Sequence, residues 1–135
     1  MVMSPHDVPG TWVESVAFPT IASSAATDYV AVWVAPFKCL VTALKIVSSD
    51  AATGAATNYV SFNVDGPNAT TEQGALDLAS GTDLAAGIAS ALTLTTTAGF
   101  NANAGESLRL EAEEVGTGLG AAIGYGALII EFEAR

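Results

Sequence analysis

The chain reads as an all-β protein, an antiparallel sandwich or barrel, and three features predict that class. Apolar side chains recur with a period of two in run after run, the pattern of strands buried on one face. Gly, Asn, Asp and Ala-rich turns interrupt these runs, leaving seven or eight strands about 10 to 20 residues apart, the rhythm of sandwiches and barrels. No self-similarity with a period of about 20 to 50 residues appears, which excludes a solenoid or propeller. At 135 residues there is room for one domain. Residues 19–135 form that domain, behind a segment, residues 1–18, that is either an N-terminal arm or an edge strand.

The elements follow in chain order. Residues 1–11 hold Pro5, Pro9 and Gly10 and read as extended, since proline excludes helix and presets the chain. Trp12 to Phe18 is a short strand whose Trp12, Val13, Val16 and Phe18 are too large and apolar to stay wet. This segment either adds a strand to a partner's sheet edge or forms the first strand of its own sandwich. Tyr29 to Ala35 alternates Val30, Val32 and Val34 with Tyr29, Ala31 and Trp33, so both faces are apolar. Such a strand is packed on two sides or lies at a subunit contact, for which Tyr29, Trp33 and Ile129 are the candidates.

After Pro36, Lys38 to Ser48 forms the next strand, with Leu40, Leu44 and Ile46 expected inward. Asp50 to Thr57 is a loop of small residues, and Asn58 to Val64 is a strand. Asp65-Gly66-Pro67-Asn68 has turn chemistry, Gly supplying positive φ and Pro a fixed one. Residues 73–90 fit a short helix near 76–89 or irregular strands, with Gly81 and Gly87 against a long helix. Ser90 to Thr97 alternates, Leu92 and Leu94 inward. Asn101 to Gly105 turns into Glu106 to Glu113, with Leu108, Leu110 and Ala112 inward. Beyond the glycine-rich loop 116–126, Tyr125 to Glu133 closes the chain, with Leu128, Ile130 and Phe132 inside.

Composition narrows function by exclusion. Fourteen acids against four bases (Lys38, Lys45, Arg109, Arg135) give a net charge of −10. Phosphate binding needs clustered Lys and Arg, so neither nucleic acid nor an anionic membrane is an expected partner. Cys39 is the lone cysteine and sits in an apolar run, and His6 is the lone histidine, in the N-terminal segment. Neither a thiol–imidazole pair nor a Ser-His-Asp triad is expected from them. Gly116-Thr117-Gly118-Leu119-Gly120-Ala121 fits G-x-G-x-x-A in letters only, because neither the buried strand before it nor the helix after it is present. Glu111, Glu113 and Glu114, like Glu131 and Glu133, read as a solvated sheet face, since a catalytic acid needs burial to raise its pKa. Asp65, Asn68 and Glu72 lack a calcium-loop spacing. The reading is a protein without enzyme activity, cofactor or metal. Trp12 and Trp33 remain as a possible sugar-stacking platform or as protein anchors. The N-terminal sequence has neither a basic region nor an apolar core, so synthesis and residence in a cytosol-like compartment are expected.

One resemblance sharpens this. The Pro-containing segment is followed by Tyr29-Val-Ala-Val-Trp-Val-Ala-Pro-Phe-Lys-Cys-Leu-Val-Thr-Ala-Leu-Lys-Ile-Val47, then the loop Ala51 to Thr57 and the strand Asn58 to Asn63. Asn103 to Glu111 and the final strand Gly126 to Glu133 complete the series. Over residues 28–133 this order resembles the small jelly-roll virion proteins of tailed bacteriophages, particularly head decoration (cement) proteins. The resemblance implies a jelly-roll sandwich with an extended N-terminal arm, assembled as a homotrimer on the outer surface of the capsid. It implies that the arm residues Pro9, Trp12, Val13, Val16 and Phe18 touch the major capsid protein. A tail or fibre module, binding glycans through Trp12 or Trp33, is the alternative. The excess of small residues, with Ala, Gly, Ser and Thr making 63 of 135, suits tight β packing in either case.

Overall fold

The computed structural model describes residues 10–22, 27–68, 71–118 and 122–135. Among these lie ten strands: β1 Thr11–Phe18, β2 Asp28–Val34, β3 Cys39–Ser48, β4 Tyr59–Asp65, β5 Glu72–Asp77, β6 Ser90–Ala91, β7 Thr93–Leu94, β8 Phe100–Ala102, β9 Ser107–Val115 and β10 Gly126–Ala134. No helix occurs among the described residues, so 76–89, where a short helix was one expectation, is strand and irregular chain. Gly74 to Asp77 pairs with β4, and beyond it only isolated bridges form, at Ala79 and Leu84.

All strand ladders are antiparallel, and they build two sheets. One has the order β1-β10-β3-β6, with β8 also on β3; the other runs β2-β9-β4-β5-β7. β1, β2, β3 and β4 thus fall alternately in the two sheets. The result is the β-sandwich that the alternation predicts.

The core lies between the sheets and is apolar but for Ser48, whose hydroxyl donates to the Gly124 carbonyl. β9 contributes Leu108, Leu110 and Ala112, and β10 contributes Leu128, Ile130 and Phe132, all buried as the sequence pattern requires. Across from them sit Val60, Phe62 and Val64 of β4 and Leu44 and Ile46 of β3. At one end Trp33, Phe37 and Phe132 cluster, with Phe132 5.2 Å from Trp33 and 5.7 Å from Phe37, centroid to centroid. Such tilted aromatic pairs add about 0.5–1.5 kcal/mol each beyond the area they bury. Gly126 opens β10 where a Cβ would run into the Val47 carbonyl and the Phe18 ring, so only hydrogen fits between β1 and β3 there.

β3 differs from its sequence reading. Its first half buries Cys39 and Val41 while Leu40 is half-buried; its second half buries Leu44 and Ile46. The register explains the change of phase. Val41 faces Phe132 and Ala43 faces Glu131, so Thr42 is an extra residue bulged out of the ladder. A bulge shifts the side-chain alternation by one, which puts Leu40 off the core face. Ser90 to Thr97 departs as well. β6 pairs with β3 in one sheet and β7 with β5 in the other, so the chain crosses between sheets at Leu92. Leu92 is buried in that crossing and Leu94 is half-buried.

Candidate functional site

Apart from a cleft of about 430 Å³ lined by Ile21, Val30, Ala112 and the chain around them, the surfaces available for function are the outer faces of the two sheets and their edges. The candidate contact residues distribute unevenly over them. Pro9 lies outside the described residues. Trp12 to Phe18 is a strand of the chain's own sheet, paired along its whole length with β10. Trp12 packs edge-on against Phe37 at 5.7 Å, Val16 lies against the core, and Phe18 is 2% exposed, tilted 6.0 Å from Phe62. Phe18 therefore spends its apolar surface inside the sandwich, and Trp12 and Val16 spend most of theirs there. Val13 alone of the described arm residues points outward, at 60% exposure.

Trp33 is likewise turned into the sandwich. It is 3% exposed, and its indole N–H donates to a Glu14 carboxylate oxygen at 2.7 Å, tying the edge strand of one sheet to that of the other. No ring face remains for a sugar or a subunit, since the side that β2 turns outward is that of Val32 and Val34. A buried indole needs a partner for its N–H, and Glu14, itself largely exposed, supplies one while keeping its charge in water. Tyr29 is half-buried on the outer face and Ile129 sits mid-sheet on the other outer face.

The outer face of the β2-β9-β4-β5-β7 sheet is acidic and interlocked. Ser61, Asn63 and Asp65 form a buried polar row on its central strand, walled by longer side chains from both neighbours. Ser61 Oγ donates to Asp77, Asn63 Nδ2 donates to Glu113 at 2.7 Å, and Tyr29 Oη donates to Asp65 at 2.9 Å. The Arg109 guanidinium lies 4.0 Å above the Tyr29 ring. Its register neighbour on β4 is Asp65. The hydrogen bond to Asp65, above all, pushes the Tyr29 hydroxyl's pKa up and keeps it a donor. Glu72 joins this face, and its carboxyl is pushed above the usual range by burial first, then by Asp65, Asp77, Glu113 and Glu111. The face thus holds five carboxylates against one guanidinium. Among the described residues no cluster is arranged to hold a metal ion, and Asn68 spends its side-chain oxygen on the Ser107 amide at 2.9 Å.

The outer face of the other sheet is neutral. Across β1, β10 and β3 its rows read Val13–Glu131–Ala43, Ser15–Ile129–Lys45 and Ala17–Ala127–Val47. Lys45 pairs with Glu131 at 3.4 Å, and Arg135 pairs with Glu133 at 3.2 Å at the end of the sheet. Charge there is balanced. At the opposite end a shallow depression of about 440 Å³ is lined by Ala17, Val47, Tyr125 and Ala127. Cys39 is buried on the inner side of this sheet, and burial pushes its thiol up, away from the reactive thiolate.

Sequence reasoning did not find the Ser61–Asn63–Asp65 row. Its signal was present, polar residues alternating with Val60, Phe62 and Val64, but the partners that bury it come from β2, β5 and β9. No protein-family model matches the chain, and neither does any curated protein. Among solved structures, a chain of the "Cyanophage Pam1 capsid asymmetric unit" is similar in fold, with a TM-score of 0.50 at 16% identity. The likeness covers 100% of this chain and 94% of that one, so the whole sandwich, and not a fragment of it, has the shape of a chain found in a phage capsid.

Proposed function

We propose that the chain is a non-enzymatic virion structural protein, a decoration protein that seats on the outer head shell of a tailed phage and stabilises it. The observation that carries this is the end-to-end fold likeness to a chain of a phage capsid asymmetric unit. The strand order supports the jelly-roll form of the reading, because β1-β10-β3 and β2-β9-β4-β5 interleave the long strands of two Greek keys. The surface supports it too: a core filled by side chains and outer faces of hydrogen-bonded or paired groups suit binding more than chemistry.

In this role the partner is the major capsid protein, and the protein acts by mass action. A ligand that binds only the assembled lattice lowers the free energy of that lattice. Copies assembled as a homotrimer, each touching neighbouring shell subunits, hold by many weak contacts, so avidity replaces one strong site. The acidic face fits the outward side, where it repels DNA and other particles. The test is to strip the protein from full particles and heat stripped, intact and re-decorated forms in parallel. Decorated shells are expected to retain DNA to higher temperature. Equal release from all three would remove the stabilising role.

A further inference from the structure

The geometry points to the shallow depression at the Tyr125 end of the neutral face as a socket into which the shell protein inserts one large apolar side chain. This rests on the decoration reading above and adds to it the place and chemistry of the contact. The depression arises from side-chain size. Ala17, Ala127 and Val47 form its outward row, and the two alanines carry a single side-chain carbon each, where the next row carries Ile129 and Lys45. Tyr125, 65% exposed, lines it as well. The lining is pinned by the backbone. The Ser49 N–H donates to the Tyr125 carbonyl at 2.7 Å, and the Gly87 N–H donates to the Ser48 carbonyl at 2.8 Å. A socket held in shape before the partner arrives lowers the ordering cost of binding.

The lining selects the occupant. The chain has fourteen acids and four bases, and among the described residues none of them lines the depression. Its polar side chains are the hydroxyls of Ser48, Ser49 and Tyr125, and that of Ser48 is already bonded to the Gly124 carbonyl and the Asp50 N–H. A charged group would lose its water there and gain no counter-charge, whereas an apolar one loses only surface that favours burial. Volume selects further. A sphere of about 440 Å³ is about 9 Å across, narrower than the 10–12 Å of a helix with its side chains. The socket therefore accepts one projecting side chain and not a whole element. Meeting the shell with this surface also keeps the five carboxylates of the other sheet in water, where contact with a partner would strip their hydration. Large side chains seated in fitted pockets carry most of an interface's binding energy, which is the role assigned to this socket.

The test is re-decoration of stripped shells by the purified protein, read by co-sedimentation over a concentration series. Ala17 is exposed on the edge strand β1, so substitution there leaves the core untouched. Ala17→Trp fills the depression, Ala17→Glu charges it, and Tyr125→Ser removes its one aromatic wall. Each is expected to raise the half-saturating concentration at least about tenfold. Thr93→Glu adds the same charge to the acidic sheet, where Thr93 faces Ala75, and is expected to bind like wild type. Circular dichroism verifies that each variant is folded. Wild type that leaves the shells bare overturns the decoration reading itself, and this inference with it. Wild type that binds while folded Ala17→Trp and Ala17→Glu bind equally well overturns the socket alone. A loss in Thr93→Glu equal to that in Ala17→Glu does the same, since net charge and not the place would then be responsible. Light scattering on the free protein tests a second copy as the occupant. An oligomer lost in the Ala17 variants together with shell binding would assign the depression to self-contact and overturn the inference.

Discussion

The outer faces of the two sheets are built on the same alternation and end as opposites. On β4 the outward positions are Ser61, Asn63 and Asp65, each buried and engaged by a neighbouring strand's side chain or by a residue two positions away. On β10 the outward positions are Ala127, Ile129 and Glu131, only half-buried, with Glu131 in an ion pair with Lys45. The difference teaches that the charge of this protein is sorted and not merely high. Acids that would repel one another are held on one sheet by donors from Tyr29, Ser61 and Asn63, while on the outer face of the other sheet Glu131 and Glu133 are paired with Lys45 and Arg135.

The largest effect expected is one that ignores this difference. Phe132 is fully buried where both sheets meet, against Trp33 and Phe37. Phe132→Ala removes a ring from a closed core and should cost about 3–5 kcal/mol, read as a fall in the urea midpoint. A loss below ~1 kcal/mol, the range of surface changes, would mean that the sheets do not share one cooperative core.

Next comes a contrast between faces. Tyr29→Phe withdraws the donor that meets Asp65, a carboxylate only 7% exposed, and should cost about 1–3 kcal/mol. Ser15→Ala, on the outward side of β1 beside Ile129, should stay within about 0.5 kcal/mol. Equal losses from both in thermal unfolding would show that the buried polar row is not the stiffer of the two surfaces.

How much of this was legible depended on whether neighbours in sequence or neighbours in space set the outcome. β9 and β10 were legible to within two residues because Leu108-Arg109-Leu110 and Ile130-Glu131-Phe132 alternate, and each strand keeps one phase. β3 was legible only in its second half, since the bulge at Thr42 exists to match Glu131 and Phe132 on another strand. The two-sided apolar pattern of β2 could not say which side is inside. Trp33 went inward because Phe37 and Phe132 wait there, and Glu14, nineteen residues away, takes its N–H. For the same reason the segment Trp12 to Phe18 read equally as a strand for a partner's sheet or for its own until β10 is seen to pair with it. The surfaces were least legible. Charge sorting needs the sheet order β2-β9-β4-β5, which brings Asp65, Glu72, Asp77, Glu111 and Glu113 together from three strands.

The smallest effect expected is also the one most specific to the comparison, because a single substitution should change sign between faces. Glu72 is held above the ordinary carboxylate range, so the folded chain binds its proton more tightly than the unfolded chain does. Its contribution to stability is fully present below the unfolded value of about 4.3 and is lost as the pH rises through the elevated folded value. At neutral pH the ionised group therefore works against the fold, and Glu72→Gln, which keeps the shape without the charge, should raise the melting temperature. That gain should shrink as the pH is lowered toward ~4, where wild-type Glu72 takes up its own proton. Glu131→Gln makes the same change on the neutral face, where the carboxylate meets Lys45 at 3.4 Å. There it should lower stability by about 0–1 kcal/mol, the range of part-exposed pairs, and added salt should narrow the difference. If Glu72→Gln lowers the melting temperature at neutral pH, or if its effect does not move with pH, the repulsive crowding assigned to that sheet is wrong. If both variants shift stability in the same direction, the two faces are not electrostatic opposites.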